Sequence, residues 1–227
     1  MLSNMQIKKS EMSGKLFGID AVNSNPLSNP FCIEQYGKED DTIICTECYS
    51  IDMLETYRSN CVPNFENNNV TLSTIIHTDF SHLKFRNDIV RINGHGELLN
   101  QTHLQNICNM AFAFPNHTFA LWSKRIDIVR KFKKWLDGKG YCFPSNLILI
   151  YSNPKKNKIV SKIPYPFHKV FNNVNLEWNN VSPNLKENCT GQKCNDCRIC
   201  YNFNSENIII ELTKKSQKEL NNKKRVA

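Results

Sequence analysis

The chain has no run of about 18 apolar residues, the length a helix needs to cross a bilayer, so a membrane-spanning helix is not expected. Its first residues, Met1 to Ser13, are polar and lysine-bearing and lack the apolar stretch of a secretory signal. An intracellular, cytoplasmic life is therefore expected, and with it no disulfide framework. Tripeptides such as Asn69-Val-Thr71 then carry no glycosylation meaning. Internal repeats and long low-complexity linkers are also missing, which leaves one large domain as the simplest organisation for 227 residues.

What is present starts with a hydrophobic fraction of 40%, enough for a real core, and a formal charge of +8. Much of that charge lies at the end of the chain, in Lys214, Lys215, Lys218, Lys223, Lys224 and Arg225. Such a cluster is either an electrostatic foot for a phosphate backbone or a solvated chain end. The expected layout is a flexible tail over 1–12, a single α/β domain over 13–213 and a basic tail over 214–227.

Ten cysteines are the most informative feature. Four crowd one segment, Cys189-Thr-Gly-Gln-Lys-Cys194-Asn-Asp-Cys197-Arg-Ile-Cys200-Tyr201. An x2 spacing lets two sulfurs in one tight turn point at a common centre. The Cys-x2-Cys-x2-Cys run resembles the cluster-binding run of bacterial-type ferredoxins. Zinc is the other reading, since four nearby thiolates satisfy its tetrahedral demand. The cofactor is thus expected to be a [4Fe–4S] cluster or Zn2+. A second group, Cys32, Cys45 and Cys48, offers three more ligands. These could join a C-terminal thiol in one shared site, hold a second metal, or carry an open-edged cluster. The radical S-adenosylmethionine spacing Cys-x3-Cys-x2-Cys is not met, because position 41 is Asp41. Cys108 lies on an apolar helical stripe and is read as core packing; Cys61 and Cys142 have no partner at ligand spacing and are read as structural.

Periodicity predicts alternating strands and helices. A short strand is expected within Leu16–Val22, a helix through Ile51, Leu54 and Tyr57 ended by Pro63 and the Asn67–Asn69 run, and a further helix over 70–84. Strands follow at Asp88–Asn93, Thr118–Trp122, Asn146–Tyr151, Lys169–Val174 and Ile208–Leu212. Helices are expected through Leu104, Ile107, Cys108 and Ala111 up to Pro115, and from Ile126 to Leu136. Strand–helix–strand order implies crossovers and a largely parallel sheet, and Leu147-Ile148-Leu149-Ile150 suits a strand buried on both faces.

In such folds ligands gather at the carboxyl ends of the strands. That end collects Asn93, His95 and Glu97, then Trp122, Ser123 and Lys124, then Tyr151 and Ser152. His95 and Glu97 suit acid–base work or metal binding, and Arg91 suits a phosphate or a buried carboxylate. Arg91, His95, Glu97 and Lys124 are the candidate catalytic residues. Arg130, Lys131, Lys133 and Lys134, with Trp135 beside them, give one helix a basic face, which either binds nucleic acid or is solvated.

Together these pieces resemble the phage gene-product-88 domain family. The resemblance is carried in order by Cys45–Tyr49, Arg91-Ile-Asn-Gly-His-Gly-Glu97, the helix ending at Pro115, Phe119-Ala-Leu-Trp-Ser123-Lys124 and Cys189–Tyr201, over about residues 13–212. The family carries His where Asn93 stands and Ser where His95 stands. The resemblance implies a phage or prophage origin, life inside the infected host cell, and a partial TIM-barrel-like α/β fold. Two functions are compatible with it. One is an iron–sulfur enzyme acting on nucleotides or nucleic acid. The other is a non-catalytic, zinc-stapled module that binds nucleic acid or a host protein.

Overall fold

The computed structural model describes residues 6–175, 178 and 186–213; the basic tail expected over 214–227 lies outside them. Seven strands form one sheet in chain order. They are β1 (Ser10–Glu11), β2 (Asp20–Val22), β3 (Ile89–Ile92), β4 (Thr118–Ser123), β5 (Leu147–Ser152), β6 (Lys169–Val174) and β7 (Ile208–Leu212). β1 pairs antiparallel with β2, and every later pairing is parallel. Sequential parallel strands linked by helices are the plan of a TIM barrel. Here the sheet stays open, with β1 and β7 as its edges, so the expected partial-barrel α/β fold is what the chain adopts.

The helices are α1 (Pro30–Tyr36), α2 (Tyr49–Glu55), α3 (Val62–Thr74), α4 (Gln101–Ala113), α5 (Ile126–Gly138) and the single turn α6 (Cys194–Cys197). Alternation along the strands sends Val90, Ile92, Phe119, Leu121, Leu147 and Leu149 to one face. There they pack on Leu72 of α3, on Leu104, Ile107 and Met110 of α4, and on Ile128, Val129 and Phe132 of α5. The residues between them, Ile89, Ala120, Trp122, Ile148 and Ile150, face the other way. That inner face is covered by the cysteine-rich segment, through Cys194, Cys200 and Tyr201, together with Leu16 and Ile19. Burial on both faces is why these strands read as nearly continuous apolar runs.

The N-terminal part departs from expectation. Residues 7–11 are not a loose tail: Ile7 is buried, Ser10–Glu11 pairs with β2, and Lys8 exchanges backbone hydrogen bonds with the Asn68 side chain. The expected strand at Leu16–Val22 shortens to β2, preceded by a 3-10 turn at Gly14–Leu16. Pro63 opens α3 rather than ending a helix, because a first-turn N–H has no helical acceptor to lose. α3 therefore covers 62–74 and not 70–84. The Asn67–Asn69 run sits inside it, where Asn68 donates to Asn23 O and Asn69 donates to Asn25 O, both buried. Among the described residues no helix is long and apolar enough to cross a membrane.

Candidate functional site

Two separate cavities hold seven of the ten cysteines. The larger, with room of about 170 Å3, opens at the carboxyl ends of β3, β4 and β5. It is built around the turn after β3. Asn93 takes a left-handed conformation, φ 54°, and Gly96 has φ 81°. A Cβ on Gly96 would lie 2.4 Å from Ser24 O, so only glycine fits against the loop after β2. That loop is fastened by Ser24 Oγ donating to Asn93 Oδ1 (2.8 Å) and Asn29 Nδ2 donating to Glu97 O (2.9 Å). Asn29 also caps α1, accepting from Phe31 N and Cys32 N. The cap that starts α1 thus carries Cys32 to the mouth of the sheet.

The other two thiols arrive by separate ties. Cys45 lies in a 3-10 turn, Ile44–Glu47, pinned to the loop after β5 by Ile44 N donating to Pro154 O (2.8 Å). Cys48 is the N-cap residue of α2, and two residues on, Ser50 Oγ lies 2.8 Å from His95 Nδ1. Cys32, Cys45 and Cys48 all line this cavity with Arg91, His95, Glu97 and Lys124.

Electrostatics sort these groups. Glu97 is buried, and its carboxylate accepts from Ser123 Oγ (2.6 Å), Lys124 N (2.7 Å) and Leu98 N (2.8 Å). It braces the ends of β3 and β4; burial raises its pKa, against the pull of Lys124 and these donors. Burial opposes charge on Lys124 as well, but Cys45, Glu97, Cys48 and Cys32 outweigh it and hold the ammonium charged. Burial raises the Cys32 and Cys45 thiols, Lys124 pulling the other way. Arg91 stacks on Trp122, its guanidinium carbon 3.9 Å from the ring centroid. Its register partner, Ala120, is small and leaves that space. Among the described residues no carboxylate comes within ion-pair distance of Arg91 or Lys124. Asn93 Nδ2 and Trp122 Nε1 are buried donors without an acceptor among the described residues, and Arg91 Nε has none of its own although the guanidinium reaches the Tyr201 hydroxyl.

The smaller cavity, about 20 Å3, is ringed by Cys189, Cys194, Cys197 and Cys200. α6 brings Cys194 and Cys197 round one turn, Arg198 breaks it with φ 52°, and a 3-10 turn over Ile199–Tyr201 presents Cys200. Cys189 is stitched to β7 by Cys189 N donating to Ile210 O and Leu212 N donating to Cys189 O. The segment is anchored from outside by the Arg198 fork on Asp88 (2.7 and 3.3 Å), and from inside by Tyr201 packed edge-on against Trp122. Burial, with Glu211, pushes the Cys189 thiol up to about 11. It raises Cys194 and Cys200 too, against the pull of Arg91 on both and of Lys15 on Cys194.

The thiols therefore form two groups and not one shared centre, with Arg91 between them: it lines the mouth and also faces Cys200 and Cys194. Among the described residues no three His, Cys, Asp or Glu side chains already stand in the geometry of a bound metal ion. Cys108 is in the core as expected, Cys61 packs beside Phe65, and Cys142 is exposed rather than packed. Of the mouth residues, Phe31, Ser50 and Phe171, like Pro26, had no sequence signal of their own. The first two could have been found only as close neighbours of Cys32 and Cys48. Compared with protein-family models, curated proteins and solved structures, the chain shows no match.

Proposed function

We propose that this protein is a metal-dependent enzyme whose reaction centre is the mouth cavity. The observation that carries this reading is the convergence of Cys32, Cys45 and Cys48, from three separate elements, with Lys124 on one cavity at the strand ends. Three thiolates leave a metal centre with an open position, the arrangement of catalytic rather than structural sites. Bound there, a zinc ion would supply Lewis acidity and an iron–sulfur cluster electron transfer. The chain's own groups do the rest. Lys124 offsets the charge of the thiolates. Glu97 fixes the backbone at Lys124. His95, oriented through Ser50, is the candidate proton carrier.

The substrate class in this reading is an anion. The inner wall offers Arg91 and the donors of Asn93 and Trp122, and the carboxylate that lines the cavity, Glu97, is already occupied by three donors. Phosphate-bearing substrates, nucleotides among them, suit such a wall. In this reading the chemistry runs in a phage-infected cell, as the family resemblance implies.

The test is anaerobic purification, followed by metal and sulfide assay of wild type and of the Cys32→Ser, Cys45→Ser and Cys48→Ser variants. The expected result is metal lost from each variant with the fold retained. Wild-type protein with metal that none of the three substitutions reduces would end this reading. A non-catalytic module is the second reading. It is favoured by the outer face of α5, where Lys131 and Lys134 are exposed beside Trp135. Salt-sensitive retention of DNA or RNA, abolished by charge reversal on α5, would support it.

A further inference from the structure

Arg91 is the inner cation of the mouth, and the strands beside it do little to hold it. Its register partners are Ala21 on β2 and Ala120 on β4, each of which contributes only a methyl group. Among the described residues no carboxylate lies within ion-pair distance of it. The Trp122 ring takes one face of the guanidinium, at 3.9 Å. Stacking of this kind fixes the plane of a guanidinium but leaves it free to turn within that plane. For binding an anion the turn matters, because the fork is specific only when its N–H bonds point at fixed places.

Two contacts stop the turn. One is the backbone after β3. A Cβ on Gly94 would lie 3.3 Å from Arg91 Nε, so that edge of the guanidinium runs beside a turn that lines the mouth. The other is the Tyr201 hydroxyl, which the guanidinium reaches. Tyr201 is buried, its ring edge-on to Trp122 with centroids 5.6 Å apart. Tyr201 N donates to Arg198 O (2.9 Å), and the Arg198 fork on Asp88 ties that turn to the residue just before β3. Among the described residues the hydroxyl has no partner other than Arg91. Burying a hydroxyl costs stability, and phenylalanine would pack in the same place without that cost. Tyr201 borders the small cysteine cavity and not the mouth, so its effect on the mouth passes through Arg91.

We propose that Tyr201 is a positioning residue of the mouth: the cysteine-rich segment supplies its hydroxyl to Arg91, and the hydroxyl aims the guanidinium at a bound anion. This role rests on the mouth being an anion site. With it, the mouth is complete only when Cys189–Tyr201 is folded onto the sheet.

The test measures the binding of inorganic phosphate to full-length protein by calorimetry, with Tyr201→Phe made in the wild-type and in the Arg91→Lys backgrounds. In the first, a loss of affinity of about 10-fold is expected. In the second, the loss should shrink to less than about twofold, because an ammonium has no fork to aim. Unchanged affinity on Tyr201→Phe, or the same loss in both backgrounds, overturns the role and leaves the anion site standing. Wild-type protein that binds no phosphate ends the anion reading of the mouth and this role with it. Where a variant fails to fold, or Arg91→Lys binds too weakly to read, wild-type protein with isotope-labelled tyrosine decides. Phosphate should shift the ring resonances of Tyr201 although that residue lies outside the mouth; resonances that stay in place overturn the role.

Discussion

The two thiol groups of this chain differ in how they are held, and in the proposed reading that difference separates a reactive centre from a structural one. The C-terminal four come from one 12-residue stretch, Cys189 to Cys200, and are clamped between β7 and the inner core. Their cavity is small. The N-terminal three ride on α1, a 3-10 turn and the start of α2, tied to the loops at the strand ends by the Asn29 and Ser50 side chains and by Ile44 N on Pro154 O. Their cavity is several times larger and is shared with Lys124, Arg91 and His95. A centre built into the packing serves the fold; a centre at the rim, with room beside it, serves a ligand.

The largest expected effect breaks the comparison at its structural end. Cys200→Ser replaces a sulfur packed against the inner core next to the buried Tyr201. Because the binding energy of a structural metal is part of the folding energy, a loss of about 3 kcal/mol or more is expected, read as a lower denaturation midpoint. Cys48→Ser, at the rim, should leave the midpoint within about 1 kcal/mol while removing metal from the mouth. Equal effects of the two would erase the distinction.

Gly96→Ala tests whether the mouth depends on its turn. With φ 81° and Ser24 O in the way, the substitution should cost about 1–3 kcal/mol. It should lower metal content at the mouth without touching the C-terminal complement. Lys124→Gln removes the cation facing three thiols. Outer-shell changes of this kind weaken metal binding about 10–100-fold, and a chelator competition should show that weakening only for the mouth metal.

A further variant sharpens the contrast by lying outside both centres. Asp20 is buried and accepts from Lys9 Nζ (3.1 Å), Arg86 N (2.6 Å) and Asn87 N (3.0 Å). Burial works to raise its pKa, but these donors, led by Asn87 N, outweigh it and hold the carboxyl below its ordinary value. A depressed carboxyl contributes stability that is present above its unfolded pKa and lost as pH falls through the folded one. Asp20→Asn should therefore cost about 1–3 kcal/mol at neutral pH and flatten the acid limb of the stability profile, with metal content unchanged. Smallest of all, exposed Cys142→Ser should shift stability by no more than about 0.5 kcal/mol and leave both metals in place.

The same contrast explains what the sequence made legible. β6 and β7 carry the bounds their apolar patterns indicated, β3 is one residue shorter at each end, β4 runs one residue further and β5 is shifted by one, because burial on two faces writes itself into consecutive residues. The C-terminal thiols were legible because short spacing within one segment leaves few geometries open. The mouth was legible only as a list of strand-end residues. Its turn is fastened by Asn93 and two of its thiols are brought in by Asn29 and Ser50, whose side chains reach partners some 45 to 70 positions away. Single polar contacts of that range have no period and leave no pattern. The Asn67–Asn69 run misled for the same reason: asparagine favours turns when it bonds its own neighbours, whereas here Asn68 and Asn69 bond distant backbone from within a helix.

The claim beneath all of this is that the cysteines make two centres. Metal and sulfide content, measured side by side in one variant lacking Cys32, Cys45 and Cys48 and another lacking Cys194 and Cys197, tests it most directly. Separate centres predict that each variant loses part of the wild-type complement and that the two losses together account for the whole. If either variant loses all of the metal while remaining folded, the thiols serve a single centre and the account fails.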